Sequence, residues 1–287
     1  MSIVPQLIVN SLIAAGLYAL LAIGFNLIYS TTKFFDLGYG AMTAVGGYGA
    51  FLFFSKLGLP MYLALPAGVL IAGIVGFVVY KLVYAPLRAR HASNMVLLVA
   101  SLGVLTMLQA TIAMLFSSQF QPLGVADGGT LLIAGAAITH VQVGVIATAI
   151  LLMLALGLLL KHTMFGKAVR AIGDNEEVSQ IVGINTNRVI GHVFFIGSAI
   201  GGLAGILWGL DTGIEPTMGL SLLLKAVIAA IIGGVGNVYA GVLGALVLGF
   251  AENFGIWKIS GEWKDAIAFG ILILFLVFRP QGLIKTK

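Results

Sequence analysis

Apolar residues follow one another along most of this chain in long unbroken runs, with little short-range alternation between apolar and polar positions. Several runs approach the roughly 20 residues that a helix needs to cross the hydrocarbon core of a bilayer. A backbone inside lipid must satisfy its own hydrogen bonds, and continuous apolarity does not suit the alternating strands of a barrel. The pattern therefore predicts an all-α integral membrane protein with about eight transmembrane segments, at residues 5–29, 37–55, 61–84, 94–116, 141–160, 190–210, 221–251 and 264–279.

The composition agrees with a membrane environment. The chain of 287 residues is 60% hydrophobic and only 9% charged, whereas charged residues make up about a quarter of an ordinary soluble domain. It contains no cysteine, which excludes disulfides, thiolate nucleophiles and cysteine metal sites. The basic residues form no stripe interleaved with aromatic residues, so no nucleic-acid partner is expected. We expect a single transmembrane domain over residues 1–287.

Lysine and arginine are distributed unevenly between the two sides of the predicted helices. Eleven of the 15 basic residues fall on one side and four on the other. Short loops rich in basic residues stay in the cytoplasm, so the amino terminus is predicted to lie outside and the carboxyl terminus inside. The cytoplasmic set comprises Lys33, Lys81, Arg88, Arg90, Lys161, Lys167, Arg170, Arg188, Arg279, Lys285 and Lys287.

This orientation makes the run 221–251 anomalous, because it starts outside and the last helix must also start outside. The run therefore has to enter the membrane and return. Gly233, Gly234 and Gly236 lie near its middle, and a glycine cluster is a place where a helix breaks. We predict a discontinuous pair of short helices or a deep re-entrant pair. The alternative is one long kinked helix followed by a last helix of reversed direction.

The longest external connection spans about 117–140. It contains Asp127 but no lysine or arginine. Its glycine-rich and partly apolar sequence differs from that of a disordered linker, which is usually polar and charged. The connection is therefore predicted to form a small structured cap.

The motifs of nucleotide, metal and acyl chemistry are missing. Gly166-Lys167 completes no Walker A loop, the four histidines lack metal-ligand spacing, and no G-x-S-x-G elbow occurs. We therefore expect no catalytic, cofactor-binding or metal-ligating residues. Ionisable residues within the apolar runs are nearly absent, although ion-coupled carriers usually need them. Lys225 is interpreted as snorkelling to the outer surface, and Asp36 as an N-cap for a helix that starts at Leu37.

Glycine recurs at every fourth position in the run 190–210. Without Cβ atoms the backbones of two membrane helices approach closely, which increases their dispersion contact. This glycine face is interpreted as a packing surface, and sliding between two transport states is the alternative. Its members are Gly197, Gly201, Gly205 and Gly209.

The cytoplasmic loop 161–190 is long, amphipathic and mixed in charge. Asp174 is predicted to cap a short helix that continues to Gln180. Glu176 and Glu177 fall in its first turn, where acidic side chains suit the helix dipole, and Gly183 is predicted to end it. A short helix held at the membrane surface between two spanning helices is a suitable docking element for a soluble partner.

The same loop resembles the coupling loop of the branched-chain amino-acid ABC permeases, and four further sequence blocks follow in the family's order. Together they extend nearly from end to end of the chain, and the resemblance is closer to the H-type than to the M-type subunit. The five blocks are Gly166 with Arg170-Ala171, Gly183-Ile184-Asn185 and Arg188; Gly16-Leu17-Tyr18-Ala19-Leu20 with Gly24 and Asn26-Leu27-Ile28-Tyr29; Leu37-Gly38-Tyr39-Gly40-Ala41-Met42 with Gly47-Tyr48; Gly233-Gly234-Val235-Gly236-Asn237; and Arg279-Pro280-Gln281-Gly282-Leu283.

The resemblance implies one permease of a heterodimer in the bacterial inner membrane. The assembly would be an ATP-driven importer that moves branched-chain or other neutral amino acids into the cytoplasm by alternating access. Its other parts would be a second homologous permease, two cytoplasmic ATPase subunits that bind ATP and Mg, and a periplasmic amino-acid-binding protein. An importer of urea or short-chain amides is the alternative within this class, and a passive channel or ion-coupled carrier is the alternative outside it.

The sequence Phe34-Phe35-Asp36-Leu37 departs from the family's usual pattern before the second helix, which leaves the substrate preference open.

Two sets of residues receive candidate roles from the resemblance. The coupling set is Gly166, Arg170, Asp174, Asn175, Glu176, Glu177, Gly183, Ile184 and Asn185. The pathway set consists of polar or glycine positions at helix ends and breaks, namely Asn26, Asp36, Tyr39, Gly233, Gly234, Gly236 and Asn237.

Overall fold

The structure is a computed structural model that describes residues 3–123, 129–133, 136–257 and 259–284. Helices account for most of these residues, and one short hairpin accounts for the strands. The elements are α1 Ile3–Thr32, α2 Gly38–Phe51, α3 Met61–Val79, α4 Ala85–Ala89, α5 Asn94–Phe116, β1 Thr130–Ile133, β2 Ala136–Thr139, α6 His140–His162, α7 Met164–Asp174, α8 Glu176–Ile181, α9 Thr186–Thr212, α10 Met218–Gly233, α11 Val238–Gly255 and α12 Lys264–Phe278.

The apolar runs are helical, as predicted, and the protein is an all-α membrane protein. By length and composition, six helices in the described residues are long and apolar enough to cross a membrane; one of them is the continuous stretch from Met61 to Ala89. The others are α1, α5, α6, α9 and α11. A π-helical turn, Leu52–Lys56, lengthens α2, and α10 and α12 are shorter apolar helices.

The helix α2 lies at the centre of the bundle, with all 14 of its residues buried. It packs against α3, α5, α9 and α10. Its glycines permit this crowding: a Cβ on Gly40 would lie 2.5 Å from the carbonyl oxygen of Gly219 in α10, and a Cβ on Gly46 would overlap the backbone of Gly202 in α9. Close backbone approach of this kind replaces the hydrophobic drive that lipid removes.

The run 221–251 is divided into the antiparallel pair α10 and α11, as the positive-inside argument predicts. The break lies at Gly234–Asn237, where Gly234 and Gly236 have φ values of +132° and +86°. Positive φ is readily available to glycine and strains other residues. The pair is longer than the run, because α10 begins at Met218 and α11 ends at Gly255. The two helices are therefore near-complete spans joined by a tight turn.

The described part of the 117–140 connection supports the predicted cap. The strands β1 and β2 pair antiparallel, with Thr130 opposite Thr139. Gln6 of α1 holds the hairpin with two bonds: its Nε2 donates to the carbonyl of Ala137 (3.1 Å) and its Oε1 accepts from the same residue's N–H (2.8 Å). Asp127 lies outside the described residues. We call this end of the bundle, with Gln6 and β1–β2, the hairpin end.

The opposite end of the bundle, with Thr32, α7 and the Gly234–Asn237 turn, is called the α7 end. The closing segment of the chain returns there. The N–H groups of Leu283 and Ile284 donate to the carbonyls of Ile232 and Gly233 at 2.9 and 3.0 Å. The direction of the helices then follows: α10 ends at the α7 end, α11 leaves it, and α12 returns to it.

Candidate functional site

The helix α7 lies across the α7 end with its apolar face toward the bundle. Thr163 begins the helix, since its hydroxyl accepts from the N–H of Gly166 at 3.0 Å. Gly166, Val169 and Ile172 follow at three-residue spacing and are buried. A Cβ on Gly173 would lie 2.9 Å from the carbonyl of Ser30 in α1. The helix is thereby seated directly on the end of a transmembrane helix.

Gly166 and Arg170 both lie against the carbonyl oxygen of Leu160 in the last turn of α6. The Arg170 guanidinium donates to that oxygen. A Cβ on Gly166 would overlap the Leu160 backbone, so a larger side chain cannot be placed there without moving α7. The last carbonyls of a helix have no partner within it, and Arg170 supplies one.

The short helix α8 is capped one residue later than the sequence predicts. Asp174 is the last residue of α7, so its predicted role as cap is wrong. The cap is Asn175, whose Oδ1 accepts from the N–H of Val178 at 3.0 Å. The predicted exit turn at Gly183 is present, with a φ of +89°. Amide and carboxylate side chains cap with similar strength, which explains why the sequence did not separate two adjacent candidates.

Two further members of the coupling set follow the turn. The N–H of Ile184 donates to the carbonyl of Ser179 at 3.0 Å, which closes the end of α8. Asn185 caps α9, because its Oδ1 accepts from the N–H of Arg188 at 3.0 Å. Both residues thus fix the geometry by which α8 leads into a transmembrane helix.

Glu176 is paired within the chain. Its carboxylate lies 2.5 Å from the guanidinium of Arg88 in α4. Glu177, by contrast, is exposed and pairs with no cation within 4 Å among the described residues. Of the two acidic residues considered for docking, only Glu177 has its carboxylate free for a partner.

The outer face of α8 is apolar. Val178, Ile181 and Val182 are 53%, 83% and 68% exposed. These residues belong to the charged loop 161–190 and lie outside the apolar runs of the sequence. Exposed apolar residues clustered on one surface are typical of a contact with another protein or with the membrane.

The Gly234–Asn237 turn is held by Asn26 of α1. Asn26 is fully buried; its Nδ2 donates to the carbonyl of Asn237 (3.1 Å) and its Oδ1 accepts from the N–H of Gly236 (2.9 Å). The Asn237 side chain in turn caps α11, accepting from Tyr239 N–H at 3.0 Å. Asn26 therefore holds the turn through two bonds to its backbone, from a side chain that is fully buried.

The Tyr39 ring packs against the glycine face of α9. The Tyr39 hydroxyl donates to the carbonyl of Leu21 in α1 at 3.0 Å, and a Cβ on Gly201 would lie 2.9 Å from the Tyr39 ring. The other three glycines also face neighbours: Gly197 meets Ile28, Gly205 meets the Thr43 backbone, and Gly209 meets Ile214. This arrangement has the geometry of the packing interpretation.

Asp36 lies between α1 and α2 and is 4% exposed. Its Oδ1 accepts from the Tyr84 hydroxyl at 2.7 Å. Burial raises the pKa of Asp36 to about 6, and bonds from Tyr84 and from the N–H groups of Gly38 and Tyr39 partly offset that effect. The helix α2 starts at Gly38, and Leu37 occupies its N-cap position, so Asp36 lies one residue before the cap and the prediction that it is the N-cap of a helix starting at Leu37 is wrong.

A cluster of charges near the hairpin end was not anticipated. Lys225 is 9% exposed and Glu252 is fully buried; the Lys225 ammonium lies 2.5 Å from Glu252 and 2.7 Å from Asp265. The Tyr18 hydroxyl donates to Glu252 at 2.6 Å, and Lys264 lies 3.8 Å from it. These five residues, the Lys225 cluster, join α1, α10, α11 and α12. The snorkelling interpretation of Lys225 is therefore wrong.

Comparisons with known proteins identify the family. A family model described as branched-chain amino acid transport system, permease component, matches residues 7–276. The chain belongs to this family. The permease is 30% identical to the high-affinity branched-chain amino acid transport system permease protein BraD of Pseudomonas aeruginosa, over 97% of this chain and 95% of BraD. LivH of Escherichia coli K12 is also 30% identical, over 97% and 94% of the two chains.

More distant matches also extend over most of the chain. The ribose import permease protein RbsC of Haemophilus influenzae is 28% identical, over all of this chain and 86% of its own. Among solved structures, PsaBC from Streptococcus pneumoniae in complex with Fab aligns with a TM-score of 0.54 over 95% of the permease and 91% of that chain, at 14% identity. At that identity the likeness establishes the fold alone.

The Lys225 cluster shows what the sequence could have signalled. Glu252 follows the run 221–251 directly. Its partner Lys225 is 27 positions away, and the two meet only because α10 and α11 are antiparallel. Two opposite charges on either side of a predicted break were the available clue. Within the described residues no group of three or more His, Cys, Asp or Glu is placed to hold a metal ion.

Proposed function

We propose that this chain is the transmembrane permease subunit of an ATP-driven importer that moves branched-chain or other neutral amino acids into the cytoplasm. Family membership supports the class, and the names of BraD and LivH support the substrate. The buried charges of the described membrane helices, Lys225 and Glu252, pair with each other, which suits a substrate of zero net charge. RbsC, a related sequence, is named as a ribose import permease, so the uptake experiment should include sugars beside the amino acids.

The observation that carries the proposal is the α7–α8 element. On one side α7 is seated on α1 and α6 through Gly166, Gly173 and Arg170. On the other side α8 presents Val178, Ile181 and Val182. A permease converts a partner's ATP cycle into motion only if the partner distinguishes its two states. A rigid element with an inner face on the membrane helices and an outer apolar face meets that requirement.

The assembly that follows has the α7 end in the cytoplasm. Two ATPase subunits, which hold ATP and Mg, would bind α8. A second homologous permease would complete the transmembrane pathway, and a periplasmic amino-acid-binding protein would deliver substrate at the hairpin end. ATP binding would draw the ATPases together, displace α7 and α8, and change the side to which the pathway opens. Chemistry would stay in the ATPases, and this chain would supply binding surfaces and motion.

The test replaces an exposed residue that the fold does not use. Ile181→Asp introduces a charge on a side chain that is 83% exposed, so folding should be unaffected. We expect loss of ATPase subunits on co-purification and loss of ATP-dependent leucine uptake in liposomes, both by about tenfold or more, since a buried apolar anchor often contributes 2 kcal/mol or more to an interface.

The matched control is Glu177→Gln on the same helix, which removes a charge and leaves the apolar face intact. If the contact is apolar, this variant keeps its ATPase subunits. If Ile181→Asp retains full uptake and Glu177→Gln loses it, docking is electrostatic. If both variants keep assembly and uptake, α8 is not the docking element and the proposal fails.

An ion-coupled carrier is the second candidate, and the specific observation that favours it is the buried Glu252. Intramembrane carboxylates often serve ion coupling. Here, however, Glu252 is balanced by Lys225 and receives the Tyr18 hydroxyl. Uptake into liposomes driven by a proton gradient without ATP would favour the carrier, and uptake that requires ATP inside the ATPase-bearing compartment would favour the importer.

A further inference from the structure

A cavity of about 620 Å³ opens at the α7 end, between the end of α1, α7 and the Gly234–Asn237 turn. Its volume falls in the range of pockets that hold small molecules. The transmembrane helices α1 and α6 end beside it, so it lies at the depth where lipid headgroups meet protein. The coupling role proposed above does not use this space.

The polar wall of the cavity is predominantly basic. Lys33 and Arg170 line it, and Asp174 is its one acidic residue among those described. Lys33 makes no ion pair within 4 Å in the described ranges, and Asp174 makes none either. One N–H group of the Arg170 guanidinium donates to the Leu160 carbonyl, and its other N–H groups remain available. Two cations face one anion, so the wall attracts negative charge.

A neutral donor completes the polar side. The Asn237 side chain lines the cavity, and its Oδ1 is occupied by capping Tyr239 and Ala240. Its amide nitrogen is the remaining donor. The same residue begins α11, and the first turn of a helix of 18 residues adds partial positive charge. Lysine, arginine and amide donors are the groups that bind phosphate oxygens.

The other wall is apolar. Leu27 and Leu160 come from transmembrane helices, Val169 from α7, and Val238 and Tyr239 from the start of α11. An anion without an apolar part would make no favourable contact with this wall. A molecule with a phosphate at one end and hydrocarbon at the other matches both walls at once.

We propose that this cavity binds the headgroup of an anionic phospholipid, with the phosphate between Lys33 and Arg170 and the acyl chains leaving past the exposed ring of Tyr239. Basic pockets between membrane helices on the cytoplasmic side suit such headgroups. The lipid would connect α1, α7 and the α10–α11 turn, three parts of the permease that meet at this cavity. It would thereby brace α7 against the transmembrane bundle.

The test measures lipid binding directly and needs no transport. The purified, delipidated permease in mild detergent is titrated with phosphatidylglycerol, phosphatidylcholine or inorganic phosphate, and bound molecules are counted by native mass spectrometry. We expect one saturable phosphatidylglycerol per chain. Lys33→Gln should weaken it about fivefold, the effect of one basic side chain near a lipid surface. Ala171→Trp, which fills the cavity without changing charge, should abolish it.

Lys167→Gln is the matched control, because Lys167 lies on α7 but does not line the cavity. Equal weakening by Lys33→Gln and Lys167→Gln would mean general surface attraction and would overturn the proposal. So would equal binding of phosphatidylcholine, or full binding by an Ala171→Trp variant of normal melting temperature. Saturable binding of inorganic phosphate with no preference for phosphatidylglycerol would replace the lipid by a free phosphate.

Discussion

Two carboxylates are buried among the described residues of this permease, one toward each end of the bundle. Glu252, toward the hairpin end, is fully buried and lies 2.5 Å from the ammonium of Lys225. Asp36, toward the α7 end, is 4% exposed and has no cation within 4 Å among the described residues. Its partners are the Tyr84 hydroxyl and backbone N–H groups.

The difference shows two ways of keeping a carboxylate out of water. A buried ion pair is expensive to break, because the remaining partner is left as an uncompensated charge. A carboxylate held by dipoles alone keeps part of the desolvation cost, which appears as a raised pKa. Removing the partner of Glu252 should therefore destabilise the protein, whereas removing the charge of Asp36 should stabilise it.

The largest effect is expected for Lys225→Met. The substitution leaves the fully buried Glu252 with the Tyr18 hydroxyl and with Lys264 at 3.8 Å. Breaking a buried pair by removing one partner costs about 3–5 kcal/mol. The expected result is a large fall in the melting temperature of the purified protein, measured by thermal unfolding in detergent.

The double variant Lys225→Met, Glu252→Leu tests the cause of that fall. Replacing a buried pair by apolar residues of similar volume is often neutral or stabilising, so the double variant should recover most of the lost stability. If it is as unstable as the single variant, the Lys225 cluster acts through shape and not through charge, and the comparison with Asp36 loses its basis.

The second prediction concerns Asp36→Asn and has the opposite sign. The pKa of Asp36 is about 6, against an ordinary value of 3.8. Between those values the folded protein binds more protons at Asp36 than the unfolded chain does, so this residue's contribution to stability falls as pH rises through that window. Above about pH 6 its cost is fully present, and it amounts to at most about 3 kcal/mol.

Asparagine retains an oxygen for the Tyr84 hydroxyl and carries no charge. The variant should therefore be more stable than the wild type near pH 7.5, by about 1–3 kcal/mol, and the gain should vanish near pH 4. Melting temperatures across that range check it. Subtracting the wild-type melting temperature at each pH removes the contribution of the other carboxylates, which both proteins share. A gain that is equal at all pH values would show that ionisation of Asp36 is not its source.

The features that were predicted from sequence depend on local pattern. The break at Gly234–Asn237 follows from the distribution of basic residues and from the glycines, both visible in the chain. The α8 exit follows from Gly183, which needs a positive φ. Neither inference requires knowledge of which helices touch.

The features that were missed depend on tertiary pairing. Lys225 and Glu252 meet across an antiparallel helix pair, and Glu176 meets Arg88 across 88 positions. Asn26 bonds a backbone turn 210 positions away, a contact that its polarity alone did not predict, and its role in the pathway stays a prediction. A polar residue in a membrane helix must find a partner, but the sequence does not say which one.

The smallest effect is expected for Asp265→Asn, which tests the exposed arm of the Lys225 cluster. The Asp265 side chain is 72% exposed and lies 2.7 Å from Lys225. Solvent-exposed ion pairs contribute about 0–1 kcal/mol and are screened by salt, and Lys225 keeps Glu252 in the variant. The melting temperature should change slightly in low salt and not at all in high salt. Glu262→Gln, an exposed carboxylate nearby that makes no ion pair within the described residues, is the control. If Asp265→Asn instead costs as much as Lys225→Met, the stability of the cluster depends on its surface residue, and burial of Glu252 does not determine its strength.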